Sequence, residues 1–441
     1  MKTDWEQIYN RFDPEEPVPL ERPGWRVERP YNPADQLKPE LNRPFGDKRF
    51  LIIGTVGTGK STELHQLAEA RTERDFVIVV DLWSHFLDKV GDRSALDHVQ
   101  PWEVIFLVGL HVYRAAEDRG HHWSPDTAAR LATARQRFGD TDGGPMIDIA
   151  QLAKSVSVLV GGTLDGGAAA GVAALGAVMG SGRWTLPIGR RKRTLDQDER
   201  VQDMLQVVNT LLGELQSAYK RVALFIDGLD RVRELETVHN LFVESSLLGK
   251  LVCTTVLTGP ILVRRAGLGA TIRGFDTRVL ANVPVLGADQ PRTLSTEGGR
   301  FFRAAWSRRV HELRAEAAIA DAELDTLAWT SGGRAREFVR LVRMVAERSY
   351  DAGVDVTTPA LVETVIDARR RTFELGVNRR HVQLLEGVIA DPRHQLPDDA
   401  ETAVLLDRFW LLPYPNESEW YYPHPLLLLA KLRGSGGSGG A

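Results

Sequence analysis

The sequence predicts an α/β fold, a parallel sheet covered on both faces by helices, and three observations predict it. Apolar runs recur as "FLIIG", "FVIVVDL" (76–82), "VALFIDGLD" (222–230), "LVCTTVLTG" (251–259) and "TRVLANVPV" (277–285). Helical patterns such as "KSTELHQLAEARTE" and "PWEVIFLVGLHVYRAAE" (101–117) lie between them. The glycine-rich stretch "GTVGTGKST" (54–62) follows the first run directly. Strands that are apolar throughout, instead of alternating, suit a sheet buried on both faces, and parallel neighbours need helical crossovers.

The whole chain bounds what such a fold can be. Its 441 residues suffice for two or three domains, and 43% apolar with 26% charged residues is a globular composition. A net charge of −4 supplies no general basic field for nucleic acid. Cys253 is the only cysteine, which excludes a disulfide framework and a cysteine-based zinc site. It sits in an apolar run and is expected to be a buried structural thiol. "MKTDWEQIYNRF" lacks the apolar core of a signal peptide, so a cytoplasmic protein is expected.

Residues 1–45 are expected to form a proline-rich arm, extended over the next domain. Eight prolines between residues 13 and 46 exclude one continuous helix or a central strand there, and Trp25 and Tyr31 are candidate anchors. Residues 46–290 follow as the α/β core. About 140 residues separate Asp81 from Val222, far more than a crossover needs. An insert at about 120–197 is therefore expected, rich in Gly and Ala over 155–182. That stretch is long enough to span a bilayer, but its glycines and Asp165 make it only weakly apolar, favouring a flexible insert or β-hairpin over membrane contact.

Gly54, Thr55, Val56, Gly57, Thr58, Gly59, Lys60 and Ser61 satisfy G-x-x-x-x-G-K-[ST] in strand–loop–helix context. Glycines let successive N–H groups turn inward around phosphates, and the helix N-terminus adds a favourable dipole. Lys60 would neutralise the β and γ phosphates, Ser61 would ligate Mg²⁺, and Thr62 is a further phosphate donor. Asp227 closes the third run, where the second acid of such a site holds the metal's hydration shell. Asp230, three residues on, is a candidate to orient the attacking water. Thr258 closes the fourth run, either to sense the γ-phosphate or to cap the segment that follows. These assignments presuppose the strand order 5-1-4-3-2.

From residue 300 the pattern turns helical. Residues 291–375 are expected to form an α-helical lid. Residues 376–433, reading helix, helix and two strands around "PNES", form a winged-helix-like domain. Residues 434–441, "GSGGSGGA", read as a flexible linker or tag remnant. The basic runs "RRKR" (190–193) and "RRR" (369–371) carry no interleaved aromatic residues and read as solvated surface before phosphate track.

The apolar strand ending in DGLD, the extra strand and the helical lid together resemble the AAA+/STAND group of P-loop ATPases, especially its NACHT and KAP branches. The resemblance implies ATP or ADP with Mg²⁺. It makes Arg336, in "SGGRAREFVRLV", the lid arginine that reaches the nucleotide, with Arg334 second. The family's lid proline is missing here. It makes His424, in "WYYPHPLLLL", the histidine that meets the ADP phosphate, although Pro425 stands where the family has Asp. Arg273 and Arg278 are candidates for an arginine presented to a neighbouring subunit.

The resemblance implies an ATP-hydrolysing switch whose nucleotide state controls assembly with itself or with a separately encoded effector, as in bacterial phage-defence or conflict systems. An AAA+ ATPase acting on DNA through the winged helix, or a membrane-associated KAP-like NTPase, are the alternatives. Nucleic acid is not favoured, nor is membrane.

Overall fold

The computed structural model describes residues 3–15, 18, 22–43, 45–85, 93–127, 129, 146–147, 184–185, 199–264, 272, 274–287, 289–415 and 420–433. Two compact units compose the chain. One holds residues 34–53 and 63–278, the other residues 1–33, 54–62 and 279–441.

The first unit is built on five strands: β1 (Arg49–Gly54), β2 (Phe76–Asp81), β3 (Val222–Asp227), β4 (Thr254–Pro260) and β5 (Asp276–Val279). Their order is β2-β3-β4-β1-β5, which is 5-1-4-3-2 read from the other edge, as the sequence predicts. β2 runs parallel to β3, from Phe76 opposite Val222 to Asp81 opposite Asp227. β3 runs parallel to β4, from Ala223 opposite Thr254 to Ile226 opposite Leu257. All residues of β3 and β4 are buried, which is why those runs do not alternate. Helices Pro101–Asp118 and Glu199–Tyr219 pack on each other, the first also on β2 and the second on β3. Cys253 is buried, and burial pushes its thiol up to about 12, so it is no nucleophile at neutral pH.

Two expectations change in detail. The fifth strand ends at Val279 instead of continuing to residue 285, because Leu280–Val283 spends its backbone groups outside the sheet and Pro284 has no N–H to give. The N-terminal segment is not simply extended, since it contains the helices Trp5–Arg11 and Pro33–Asn42. Pro33 takes the first helical position, where no N–H is needed, and Pro39 lies inside the second helix. Tyr31 is exposed and anchors nothing, whereas the Trp25 ring receives the guanidinium groups of Arg11, Arg22 and Arg309.

Of the insert, Met146–Ile147 and Trp184–Thr185 pair antiparallel. Residues 155–182, the run 190–193 and the tail 434–441 lie outside the described residues. Among the described residues no helix is long and apolar enough to cross a membrane.

The second unit contains the helices Thr296–Val310, Asp321–Thr330, Ala335–Asp351 and Pro359–Phe373, in the stretch read above as a lid. Ser295 and Thr358 cap two of them by accepting from Gly298 N and Leu361 N. Arg379–Ala390 and Thr402–Asp407 then lead to a hairpin, β6 (Leu411–Tyr414) antiparallel to β7 (Trp420–Pro423). Trp306, Phe302 and Phe338 are fully buried, and Phe12 of the N-terminal segment packs 5.5 Å from Trp306, each burial worth a few kcal/mol. The "RRR" run is engaged by carboxylates, although Arg371 stays largely exposed. Arg369 pairs with Glu337, Arg370 with Asp367 and Glu374, and Arg371 with Asp367.

Candidate nucleotide-binding site

The loop Gly54–Thr62 lies in the second unit with the lid. Gly57 and Gly59 have φ of 89° and 102°, a region that side-chain-bearing residues seldom enter. A Cβ on Gly57 would also stand 2.8 Å from Arg336 Cβ, so space as well as conformation demands glycine there. Lys60 is 2% exposed, and its Nζ donates to the carbonyls of Gly54 (2.9 Å) and Thr55 (2.8 Å). Thr58 Oγ1 donates to Thr55 O, which tightens the turn. Ser61 and Thr62 occupy the first turn of the helix Lys60–Glu69.

The lid reaches this loop directly. Arg334 Nη2 donates to Val56 O at 2.9 Å, and Arg336 N donates to Gly57 O at 3.1 Å. Arg334 thus reaches the loop through its guanidinium, while Arg336 donates to it through its backbone, lies against Gly57 with its Cβ and has its guanidinium 3.9 Å from Glu15. Arg334 is buried over the Phe409 ring, 3.6 Å from its centroid, and burial lowers its pKa to about 9, still cationic at neutral pH. Glu337 holds this cluster together. It accepts from Arg369 (2.5 and 3.0 Å) and Arg340 (2.9 Å), with Arg334 at 3.8 Å.

His424 is fully buried against Phe373, ring centroids 4.3 Å apart, beside Gly332. Its Nδ1 accepts from Leu426 N at 3.2 Å, which puts the proton of the neutral ring on Nε2. Nε2 faces the Ser331 backbone without completing a hydrogen bond. Burial lowers the imidazole pKa to about 3, so the ring is neutral at physiological pH.

The first unit carries the acids. Asp227 ends β3, and Thr258 Oγ1 donates to its Oδ1 at 3.0 Å while accepting from Gly228 N at 3.1 Å. Gly228 N also donates to Asp227 Oδ1, at 2.9 Å. Two donors therefore converge on Asp227 Oδ1. Gly228 has φ of 96°, and a Cβ there would meet Trp83 N at 2.5 Å, which explains the glycine inside DGLD. Asp230 is buried in the single turn Leu229–Arg231, and the Arg231 guanidinium stacks over Trp83 at 3.9 Å. Arg278 is engaged within its own unit by Asp276 and Glu40. Burial works against its charge, but those hydrogen bonds prevail and hold its pKa above the ordinary value. Arg273 lies outside the described residues.

Sequence reasoning missed two loop contacts. Arg29 donates through Nη1 to Thr58 O and through Nη2 to Ala281 O. Asn282 Oδ1 accepts from Thr55 Oγ1 at 3.3 Å, while its Nδ2 donates to Pro413 O at 3.0 Å. Asn282 had a usable signal, a lone amide inside the apolar run "LANVPV". Arg29, in a segment dominated by prolines, had none.

Strand order and the strand–loop–helix unit together define a P-loop NTPase-like α/β fold. Residues 42–104 match the family model described as the type IV secretion-system coupling protein DNA-binding domain. The chain is similar to a Walker-type ATPase of Pyrococcus abyssi, at 12% identity over 95% of this chain and 99% of that one, TM-score 0.44. It is similar to the ORC1 protein of Aeropyrum pernix solved in complex with DNA, at 12% identity over 96% of both chains, TM-score 0.36. It is also similar to the Drosophila ORC bound to DNA, at 10% identity over 88% and 73%, TM-score 0.37. No curated protein matches the chain in sequence.

Proposed function

We propose that the chain is an ATP-binding and ATP-hydrolysing switch whose lid reads the state of the phosphate loop. The observation that supports this most directly is the pair of lid contacts on the loop backbone, from Arg334 to Val56 O and from Arg336 N to Gly57 O. Phosphates entering the loop would act on peptide groups the lid already holds, so occupancy and lid position are linked without an intermediary.

The residues present fit a nucleoside triphosphate. Left-handed glycines shape the loop, Lys60 is a buried cation, and Asp227 is a buried carboxylate that accepts from Thr258 Oγ1. Ser61 and Asp227 would hold Mg²⁺, which supplies positive charge against the phosphates when bound. Lys60 would exchange its two backbone acceptors for phosphate oxygens. Asp230 would orient the attacking water, and Thr258 would keep Asp227 in a single orientation. The neutral His424 would favour the ADP state and Arg336 the ATP state. The output is assembly with further copies or with a separately encoded effector.

ATP and ADP titrations with mass photometry test the reading. Wild type should bind both nucleotides and change its mass distribution between them. Lys60→Ala should lose binding, and Asp227→Ala should bind yet not turn over. A Lys60→Ala protein that binds ATP as well as wild type sinks the site assignment.

A second reading, action on DNA, is favoured by the family match over residues 42–104. Against a winged-helix route stands the short helix Thr402–Asp407, "TAVLLD", which offers no cation to a phosphate backbone. Salt-dependent DNA binding by electrophoretic shift separates the two.

A further inference from the structure

The outer face of the phosphate loop is held residue by residue. Five consecutive carbonyls, from Gly54 to Thr58, each accept a hydrogen bond, the first two from Lys60, the next two from the lid and the last from Arg29. Only the last donor comes from the N-terminal segment. Arg29 is buried, its Nη1 reaching Thr58 O and its Nη2 reaching Ala281 O, each at 2.5 Å. A Cβ on Gly59 would stand 3.6 Å from Nη1, so the guanidinium lies against the peptide joining Thr58 and Gly59.

That peptide carries the Gly59 N–H. In a trans peptide the C=O and N–H point in opposite directions, so a donor that fixes Thr58 O also fixes the direction of Gly59 N–H. Gly59, at φ of 102°, has no side chain to resist a flip of the plane.

We propose that Arg29 is a positioning residue of the phosphate loop: it pins the Thr58–Gly59 peptide so that Gly59 N–H faces the phosphates of a bound nucleoside di- or triphosphate. The proposal rests on the nucleotide reading above. It also explains why arginine stands there. Two carbonyls from distant parts of the chain need two N–H groups in one rigid plane, which lysine does not provide.

Titrations with ATP and with inorganic tripolyphosphate, on wild type, Arg29→Ala and Arg29→Lys, test it, with thermal melts as a check on folding. The tripolyphosphate probe isolates the loop from any adenine contact. Arg29→Ala should bind both probes about tenfold or more weakly, the size expected from losing a charged hydrogen bond. KM for ATP should rise by a similar factor while kcat changes little, because Asp227 and Thr258 are untouched. Arg29→Lys should recover part of the loss. It also carries the prediction if the alanine variant fails to fold. A folded Arg29→Ala or Arg29→Lys protein with wild-type affinity for tripolyphosphate overturns the proposal while leaving the nucleotide reading intact. A wild type that binds neither probe removes both.

Discussion

Replacing Glu337 by glutamine should unfasten the lid in a way that depends on pH. The carboxylate is fully buried and faces three guanidinium groups, those of Arg369, Arg340 and Arg334. Burial alone would raise its pKa. The hydrogen bond and charge of Arg369, with Arg334 and Arg340 behind it, prevail and bring it from 4.5 to about 2. At ~1.4 kcal/mol per tenfold, that fall corresponds to about 3 kcal/mol of folded-state stability. Breaking one side of a buried ion pair typically costs 3–5 kcal/mol.

Because the folded pKa lies below the unfolded one, the unfolded chain binds the extra proton between them. The stabilisation is therefore complete above about pH 5 and is lost as pH falls toward 2. Urea unfolding of wild type and Glu337→Gln, from pH 7 down to pH 3, reads this as a difference curve that cancels the other carboxylates. The wild type should lead by about 3 kcal/mol at pH 7, with the gap closing through the acid range. Equal stability at pH 7, or a gap independent of pH, refutes the reasoning. Arg334 depends on this carboxylate for its own neutralisation, so the variant should also bind ATP more weakly.

Other perturbations follow from the same geometry. Gly57→Ala must place a Cβ 2.8 Å from Arg336 Cβ at φ of 89°, so a loss of about 1–3 kcal/mol in stability and a large loss of ATP affinity are expected in melts and titrations. Thr258→Val removes the hydroxyl between Gly228 N–H and Asp227. Its ATP affinity should stay within a few fold while kcat drops about tenfold or more in a phosphate-release assay. His424→Ala should speed ADP release if the histidine meets the ADP phosphate. Stopped-flow displacement of a fluorescent ADP analogue measures it, and an unchanged rate leaves His424 a packing residue beside Phe373.

The sheet and the loop were legible because their causes are local. Continuous apolar runs specify doubly covered strands, and G-x-x-x-x-G-K-[ST] specifies a phosphate loop whatever surrounds it. The helices after residue 300 were legible for a similar reason, as in "RAREFVRLVRMVAERSY", where the apolar residues recur at helical spacing. What stayed hidden was long-range. Nothing near Arg29 announces a carbonyl at Thr58, and nothing near Thr258 announces that its hydroxyl is shared between Asp227 and Gly228. The fifth strand was overextended for the same reason. An apolar run predicts burial, and Leu280–Val283 is buried, but its partners are turns and side chains instead of a neighbouring strand. Tyr31 shows the converse, since an aromatic residue among prolines looks like an anchor until its exposure is known.

The segment Leu280–Val283 has a consequence for how the molecule is made. Leu280 O packs on Gly54, Ala281 O takes Arg29, Val283 N takes Gly333 O, and Asn282 joins Thr55 to Pro413. These partners are separated by tens to hundreds of positions, so the contacts have high contact order. During synthesis from the N-terminus, the phosphate loop leaves the ribosome long before Gly333 and Pro413 exist. The nascent chain must therefore carry a loop without its Arg334 and Arg336 contacts until its last hundred residues have emerged. A fragment ending near residue 290, although it holds every strand of the sheet, would be a poor vehicle for studying nucleotide binding. The loop of such a fragment would keep its bonds from Lys60, Arg29 and Asn282 but lack those that Arg334 and Arg336 make to Val56 O and Gly57 O.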